Sequence, residues 1–435
     1  MVIVAKFGGS SVANSQQFKK VKDIVFSDPH RRVVVASALG KKEKGDSKIT
    51  DLLYLLHAHL KYNVPYNQVW EMITNRFNKV KEDLSLTLNI KEELDKLEKE
   101  LSKDISIDYL VSRGEYLTSK LMAEYLGFTF VDASEIIKFN YDGTVNQEQT
   151  YKLTLESFEK YGKVVIPGFY GAYPNGSIKT FSRGGSDITG ALVASSINAK
   201  EYENWTDVSG VLIADPRIVA NAKATKEISY AELRELSYMG ASVLHEETIF
   251  PVQDLNIPIH IKNTNRPEDF GTIIANECTD CSQIVTGISG KKQFTSFTIT
   301  KKQNVSKTKI VIETLKIFDK YKVNIEHIPS SIDSFSVVVS SNDVSKFLYD
   351  IVSDIDKLES VESISVDNDI ALVAVVGRNM ITKPGISGKI FGILGDNGIN
   401  IKMIAQGSHE ISIIVGISNN DFEKAIIALY NNTVN

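Results

Sequence analysis

Cysteine is nearly missing from this 435-residue chain, which holds only Cys278 and Cys281. A zinc site would need two more ligands at a matching spacing, and no second CxxC exists. The pair reads as two reduced thiols in a loop, with a redox pair as the alternative, and so few cysteines fit a reducing compartment. Long apolar runs are missing too. No stretch approaches about 18 apolar residues, so no membrane span is expected and the chain reads as cytoplasmic. There is no basic excess: 49 Lys and Arg stand against 54 Asp and Glu, a net charge of −5. That excludes a general nucleic-acid backbone binder but permits one local basic pocket. Low-complexity tracts are absent, so disorder is not expected. What remains is 43% hydrophobic and 24% charged residues, ordinary for a globular protein. The length calls for two or three domains.

Residues 1–265 alternate strand-like and helix-like segments, the pattern of an α/β unit. Val2 to Phe7 is a strand stopping at Gly8-Gly9, and Phe18, Val21, Ile24 and Val25 mark one helix face. Arg32 to Ala36 reads as a strand buried on both faces. Residues 41–48 look like a mobile surface loop. Helices are expected at 50–62, across 66–103 with a solvated face, at 113–126 and from Ser186 to Ile197. The fold class expected is an open, mostly parallel sheet with helices on both faces. Residues 266–293, punctuated by Pro267, Gly271 and Gly290, read as a linker. Two α+β units then repeat with a period of about 75 residues, at 294–368 and 369–435.

Four segments could carry chemistry. Lys6-Phe7-Gly8-Gly9-Ser10-Ser11 places a glycine pair between strand and helix, where backbone N–H groups can approach an anion. Lys6 sits at the strand's carboxyl end, where open α/β sheets bind ligands. Ser182-Arg183-Gly184-Gly185-Ser186-Asp187 is a second glycine pair at a helix start, with an Arg suited to a carboxylate or phosphate. Trp205-Thr206-Asp207, followed by Asp215-Pro216-Arg217, puts polar groups after a buried strand. Val111-Ser112-Arg113-Gly114-Glu115 reads as a helix start carrying a carboxylate. Taken singly, each also has a purely structural reading: a capped helix, a dipole-compensating Asp187, a turn at Asp215-Pro216, a capping Glu115.

Together and in this order, the four segments resemble the aspartate kinase family of the amino-acid kinase superfamily. The matching signatures are K-F-G-G-S-S from Lys6, S-R-G-G-S-D from Ser182, V-S-x-G-E from Val111 and W-T-D-V-x-G…D-P-R from Trp205. The two C-terminal units resemble paired ACT domains, the family's amino-acid sensors, built as ferredoxin-like βαββαβ units. The resemblance implies transfer of the ATP γ-phosphoryl group to the side-chain carboxylate of L-aspartate, the first step of lysine, threonine and methionine biosynthesis. That carboxylate has an ordinary pKa of about 3.9, so no general base is needed. The difficulty is bringing an anion to a polyanion, which asks for positive charge and N–H donors.

The resemblance implies the following roles. Lys6 stabilises the transferring phosphoryl group, and Phe7, Gly8, Gly9 and Ser10 line the phosphates. Asp187 orients Lys6. Arg183 clamps the substrate α-carboxylate beside Gly184, Gly185 and Ser186, Glu115 holds its ammonium, and Thr50 is a substrate-side threonine. Thr206, Asp207, Leu212 and Arg217 fall where the family holds the nucleotide. Mg²⁺ is expected on phosphate oxygens, with no protein ligand. One departure is Ser242, standing where many relatives have a lysine, with Glu246 in place of a proline. A lost cation there would weaken nucleotide binding unless a neighbouring lysine substitutes. In the first ACT unit an effector pocket would involve Asn304, Ser306, Lys307, Asn324, Ile325 and Glu326, binding lysine or threonine, although a solvent-exposed Glu326 is the plain alternative. The 294–300 strand is expected to be exchanged into the second unit, and a homodimer or homotetramer through the ACT units is implied. Two rival readings stay open: a kinase of another carboxylate such as glutamate, and a catalytically dead sensor.

Overall fold

Ile3–Phe7 is buried throughout and forms β1, the centre of the first sheet. In the computed structural model all residues are described except 44, 183, 242, 243, 245, 279–282, 379, 381, 382, 407–410 and 435, and the side chains of 246 and 247. Arg183, Ser242, Cys281 and the Glu246 side chain therefore lie outside the described residues. Contacts divide the chain into two units. The first comprises Met1–Val211, Ala224–Tyr230 and Val243–Cys278, and the second Leu212–Lys223, Ala231–Ser242 and Thr279–Asn435.

The strands of the first unit are β1, β2 (Arg31–Ala36), β3 (Thr129–Phe130), β4 (Val164–Pro167), β5 (Tyr170–Ala172), β6 (Ile178–Thr180), β7 (Glu201–Thr206), β8 (Glu227–Ser229), β9 (Ile259–Asn263) and β10 (Thr272–Ala275). Eight form one sheet in the order β3-β4-β2-β1-β7-β9-β10-β8, and β5 and β6 pair as a hairpin. Every pairing in the large sheet is parallel except β9 with β10. Phe7 is registered against Ala36 of β2 and Trp205 of β7, so three central strands end together. Polar residues just beyond them meet at one edge, as doubly wound sheets require of a site.

The helical reading needs three corrections. The stretch 66–103 is two helices, Asn67–Asp83 and Ile90–Glu100. Ser85 breaks it with φ +54°, and Asn89 starts the second helix by accepting the Glu92 N–H. Each keeps an exposed face, as expected, and buries the other, with Trp70, Ile73, Phe77, Val80, Leu94 and Leu97 in the core. The helix expected at 113–126 is Ile107–Leu126, capped by Ser106 through the Tyr109 N–H. Glu115 thus lies in mid-helix, and its reading as a capping residue fails. The loop 41–48 is held at Asp46, whose carboxylate accepts from the backbone N–H groups of Lys42 and Ser47 and from Arg76.

The second unit contains β11 (Gly287–Lys301), β12 (Ile325–His327), β13 (Ser334–Ser340), β14 (Val361–Val376), β15 (Met403–Ala405) and β16 (Ser412–Ile417). They form one antiparallel sheet, β12-β13-β11-β14-β16-β15, over two separate cores. Residues 294–300 stay in the first core, paired with β13, and supply Phe297 and Ile299 to it. It is the preceding stretch, Gly287 to Lys291, that pairs with Leu372 to Val376 beside the second core. Residues 266–293, expected as a linker, therefore hold β10 and the first half of β11. The segment from Leu212 to Lys223 also belongs to this unit, with Ile213 and Ala214 buried in the second core. Among the described residues, no helix is long and apolar enough to cross a membrane.

Candidate active site

Parallel pairing sets Lys6 beside Asn204 on the neighbouring strand. The Lys6 side chain is 8% exposed, and its Nζ lies 2.5 Å from Asp187 Oδ1. Nζ also donates to Asn204 Oδ1 at 3.3 Å, and Asn204 Nδ2 donates to the same Asp187 oxygen at 2.8 Å. Lysine, asparagine and aspartate thus close a three-membered ring of contacts. An ammonium has three N–H donors, and this ring uses two. Asp187 stands in the first turn of the helix Gly185–Ser196, whose cap residue Gly184 has φ +59°. That left-handed conformation is costly for most residues and free for glycine. A Cβ on Gly185 would lie 2.6 Å from the Phe169 ring, which fixes a glycine there by close packing.

Gly8 to Ser11 turn directly over Lys6. A Cβ built on Gly8 would sit 3.6 Å from Lys6 Nζ, so the ammonium lies against this turn. The Gly8 N–H donates to the Trp205 carbonyl at 3.0 Å, and Ser11 Oγ reaches the same carbonyl while accepting from Thr264. The Gly9–Val12 stretch is a 3₁₀ helix whose first hydrogen bond is Ser11 N–H to Gly8 O. Helices leave their first N–H groups without internal partners, so those of Gly9 and Ser10 are available to an anion. The Gly40 N–H donates to Gly9 O at 2.9 Å, and a Cβ on Gly40 would collide with Gly9 at 2.4 Å. The turn after β1 and the loop after β2 are therefore packed backbone to backbone.

Glu115 is fully buried, and its Oε2 has no hydrogen-bond partner. Burial pushes its pKa from 4.5 up to about 8, against the pull of the Ala38 and Glu115 backbone N–H groups and Arg113. At Gly114 a Cβ would lie 3.0 Å from Ala38 Cβ, so glycine lets this helix press closely on the residues after β2. A buried carboxyl with one idle oxygen leaves hydrogen-bonding capacity unused.

The expected residues divide as follows. Lys6, Gly8, Gly9, Ser10, Asp187 and the helix start at Gly184–Ser186 are brought together around the carboxyl ends of β1 and β7. Phe7 is buried and stacks on Trp205 at 6.0 Å, so it supports the turn from beneath. Thr50 is half-buried at the second position of the helix Ile49–Lys61. Thr206 ends β7, and its hydroxyl donates to Asp207. Leu212 and Arg217 belong to the second unit, where exposed Arg217 pairs with Asp215 at 2.6 Å. Within that unit Asn304, Ser306 and Asn324 are exposed, Lys307 donates to the Ser331 carbonyl, and half-buried Glu326 accepts the Tyr238 hydroxyl. Asn204 and Arg76 belong to no motif. Neither carries a sequence signal, since the register that sets Asn204 beside Lys6 exists only in the folded sheet. Among the described residues no cluster of acidic, His or Cys side chains could hold a metal ion.

Comparison with known proteins agrees with this geometry. A family model described as the amino acid kinase family matches residues 1–263, and one described as an ACT domain matches 373–432. Aspartokinase 3 of Bacillus subtilis is 33% identical over 98% of this chain and 97% of its own. The crystal structure of Clostridium acetobutylicum aspartate kinase superposes with a TM-score of 0.91 at 46% identity, over 99% of both chains. Escherichia coli aspartokinase III, 26% identical over the whole of both chains, superposes at 0.77 in complex with aspartate and ADP and at 0.75 with lysine and aspartate. With these matches over nearly the whole chain, beside a glycine turn packed on a held lysine, the chain belongs to the amino acid kinase family and, within it, to the aspartokinases, kinases joined to an ACT regulatory domain.

Proposed function

We propose that this protein transfers the γ-phosphoryl group of ATP to the side-chain carboxylate of L-aspartate, giving 4-phospho-L-aspartate and ADP. A carboxylate oxygen forms a bond to the γ-phosphorus as the bond to the ADP oxygen breaks, and no proton need move. The observation carrying this reading is the buried Lys6 ammonium, held by Asp187 and Asn204 against the Gly8–Ser11 turn. Lys6 supplies its remaining N–H, and Gly9 and Ser10 their backbone N–H groups, where negative charge gathers. Such fixed donors are the main catalytic resource in phosphoryl transfer. Glu115 receives the substrate ammonium at its idle oxygen. Arg183, from the motif that begins the Asp187 helix, would hold the α-carboxylate, and Thr50 would face the same substrate. Thr206, Asp207, Leu212, Arg217 and Ser242 are assigned to the nucleotide by their motif positions. Mg²⁺ would ride on phosphate oxygens.

Regulation is assigned to the second unit, with lysine favoured as effector, threonine as the alternative, and an ACT-mediated dimer or tetramer as the assembly. Lysine is the ligand of one E. coli relative's structure. Glu326 would take a cationic side chain, in competition with the Tyr238 hydroxyl that occupies it here. The reaction would open lysine, threonine and methionine biosynthesis in the cytoplasm. The test is ADP release with aspartate or glutamate as acceptor, repeated with lysine and threonine alone and together. Aspartate-dependent turnover inhibited by lysine is expected. Equal rates with glutamate would overturn the substrate, and indifference to both amino acids at sub-saturating aspartate would overturn the regulation.

A further inference from the structure

We infer that Arg76 is a positioning residue for phosphoryl transfer, holding the loop at Gly40 and through it the donor turn after β1. This rests on assigning Gly8–Ser11 to the transferring phosphoryl group. Arg76 lies on the helix Asn67–Asp83 and is 6% exposed. Nη1 donates to Asp46 Oδ2 at 3.0 Å and to the Ser47 carbonyl at 2.9 Å. Nη2 donates to the Gly40 carbonyl and, at 3.5 Å, to the Ala13 carbonyl. All four acceptors come from the loops that follow β1 and β2.

The next link is covalent geometry. Gly40 joins two peptides: Arg76 holds the carbonyl of the Gly40–Lys41 peptide, and the Leu39–Gly40 peptide presents the Gly40 N–H to Gly9 O at 2.9 Å, so the residue is held from both sides. A trans peptide is planar, so the Gly9 carbonyl and the Ser10 N–H point in opposite directions. Tying the carbonyl to Gly40 therefore fixes the direction of the Ser10 donor. Gly40 has no room for a side chain, since a Cβ there would lie 2.4 Å from both Gly9 C and Gly9 O. A buried guanidinium is costly, and an apolar side chain would fill the same space more cheaply. Here the cation faces a single carboxylate and otherwise collects carbonyls, leaving its Nε without an acceptor. Only its planar fork can bind several carbonyls of two loops at fixed angles. The lysine in that position could satisfy fewer of them.

The test compares Arg76→Ala, Arg76→Lys, Gly40→Ala and the double variant Arg76→Ala/Gly40→Ala with the unaltered protein and with Lys6→Ala. Aspartate-dependent ADP release and thermal melting are measured for each. Arg76→Ala should lower kcat about 100-fold, the scale of one misaimed transition-state donor, while KM for aspartate stays within a few-fold. Millimolar guanidinium should restore part of kcat in Arg76→Ala and none in Lys6→Ala. The double variant should be no slower than the slower single one, because both disturb the same junction. If Arg76→Ala does not fold, Arg76→Lys decides: it should melt near the unaltered protein yet turn over about tenfold more slowly, with one carbonyl lost from a charged donor. Unchanged kcat in a folded Arg76 variant, or additive losses in the double variant, would overturn the inference. An unaltered protein without aspartate-dependent ADP release would instead overturn the functional reading beneath it.

Discussion

At neutral pH the Glu115 carboxyl holds its proton, because burial raises its pKa from 4.5 to about 8. One pKa unit corresponds to about 1.4 kcal/mol, so ionising this group inside the fold costs about 5 kcal/mol more than in water. A substrate ammonium at Oε2 would supply the missing counter-charge and draw the proton off. Aspartate binding at pH 7 should then release close to one proton from the free enzyme, and less above pH 8, where Glu115 is already ionised. Isothermal titration in two buffers of different ionisation enthalpy measures that number. In Glu115→Gln the release should vanish, and KM for aspartate should rise about 100-fold, the loss of one buried charge pair. Stability without substrate moves in a linked way. The folded-state pKa lies above the unfolded one, so the protonated group's contribution is complete below about pH 4.5 and is lost as pH rises through about 8. Glu115→Gln lacks this loss, so its melting temperature should gain on the unaltered protein as pH rises. Equal proton release in both proteins, or parallel melting curves across that range, would refute the assignment.

Lys6→Ala should lower kcat at least 1,000-fold while the melting temperature changes little, as expected for the central phosphoryl donor; a folded Lys6→Ala protein with ordinary turnover would refute the mechanism. Asn204→Ala should cost about tenfold in kcat, one charge-assisted hydrogen bond, with KM for aspartate unchanged. A rise in KM alone would place Asn204 with substrate binding instead.

How far the sequence reveals the fold depends on what each element buries. The helix Lys307–Lys320 and strand β13 fall where the apolar spacing predicts them. Strand β14 does not divide at Asp367-Asn368-Asp369, although those residues look like a turn. They are exposed, yet the strand runs on because β11 pairs with it on both sides of an irregularity between Phe294 and Ser296. Periodicity reports burial, and here the continuity comes from ladder hydrogen bonds. The opposite error occurs at 84–89. Leu84, Leu86 and Leu88 all pack on the core and sustain an apolar pattern across a real helix break. Strands β8 and β10 are three and four residues long and sit among turn-forming residues, too short for any period to register.

The site was legible where its demands are local. Gly114 must admit Ala38, Gly184 must take a positive φ, and Gly40 must lie on Gly9. A side chain would collide at Gly40, be crowded at Gly114 and be strained at Gly184, and the last two glycines announce themselves in short motifs. Partner choice leaves no such trace. Asn204 meets Lys6 across 198 residues, and Arg76 meets the Gly40 carbonyl from a helix 36 residues away. Each is an ordinary polar residue in an ordinary element until the sheet closes. The same asymmetry bears on mechanism: glycines create the space for donors, whereas distant polar side chains aim them. Substitutions that spare every motif glycine and the motif lysine should therefore still reduce turnover, wherever they release a loop that those glycines have left free to move.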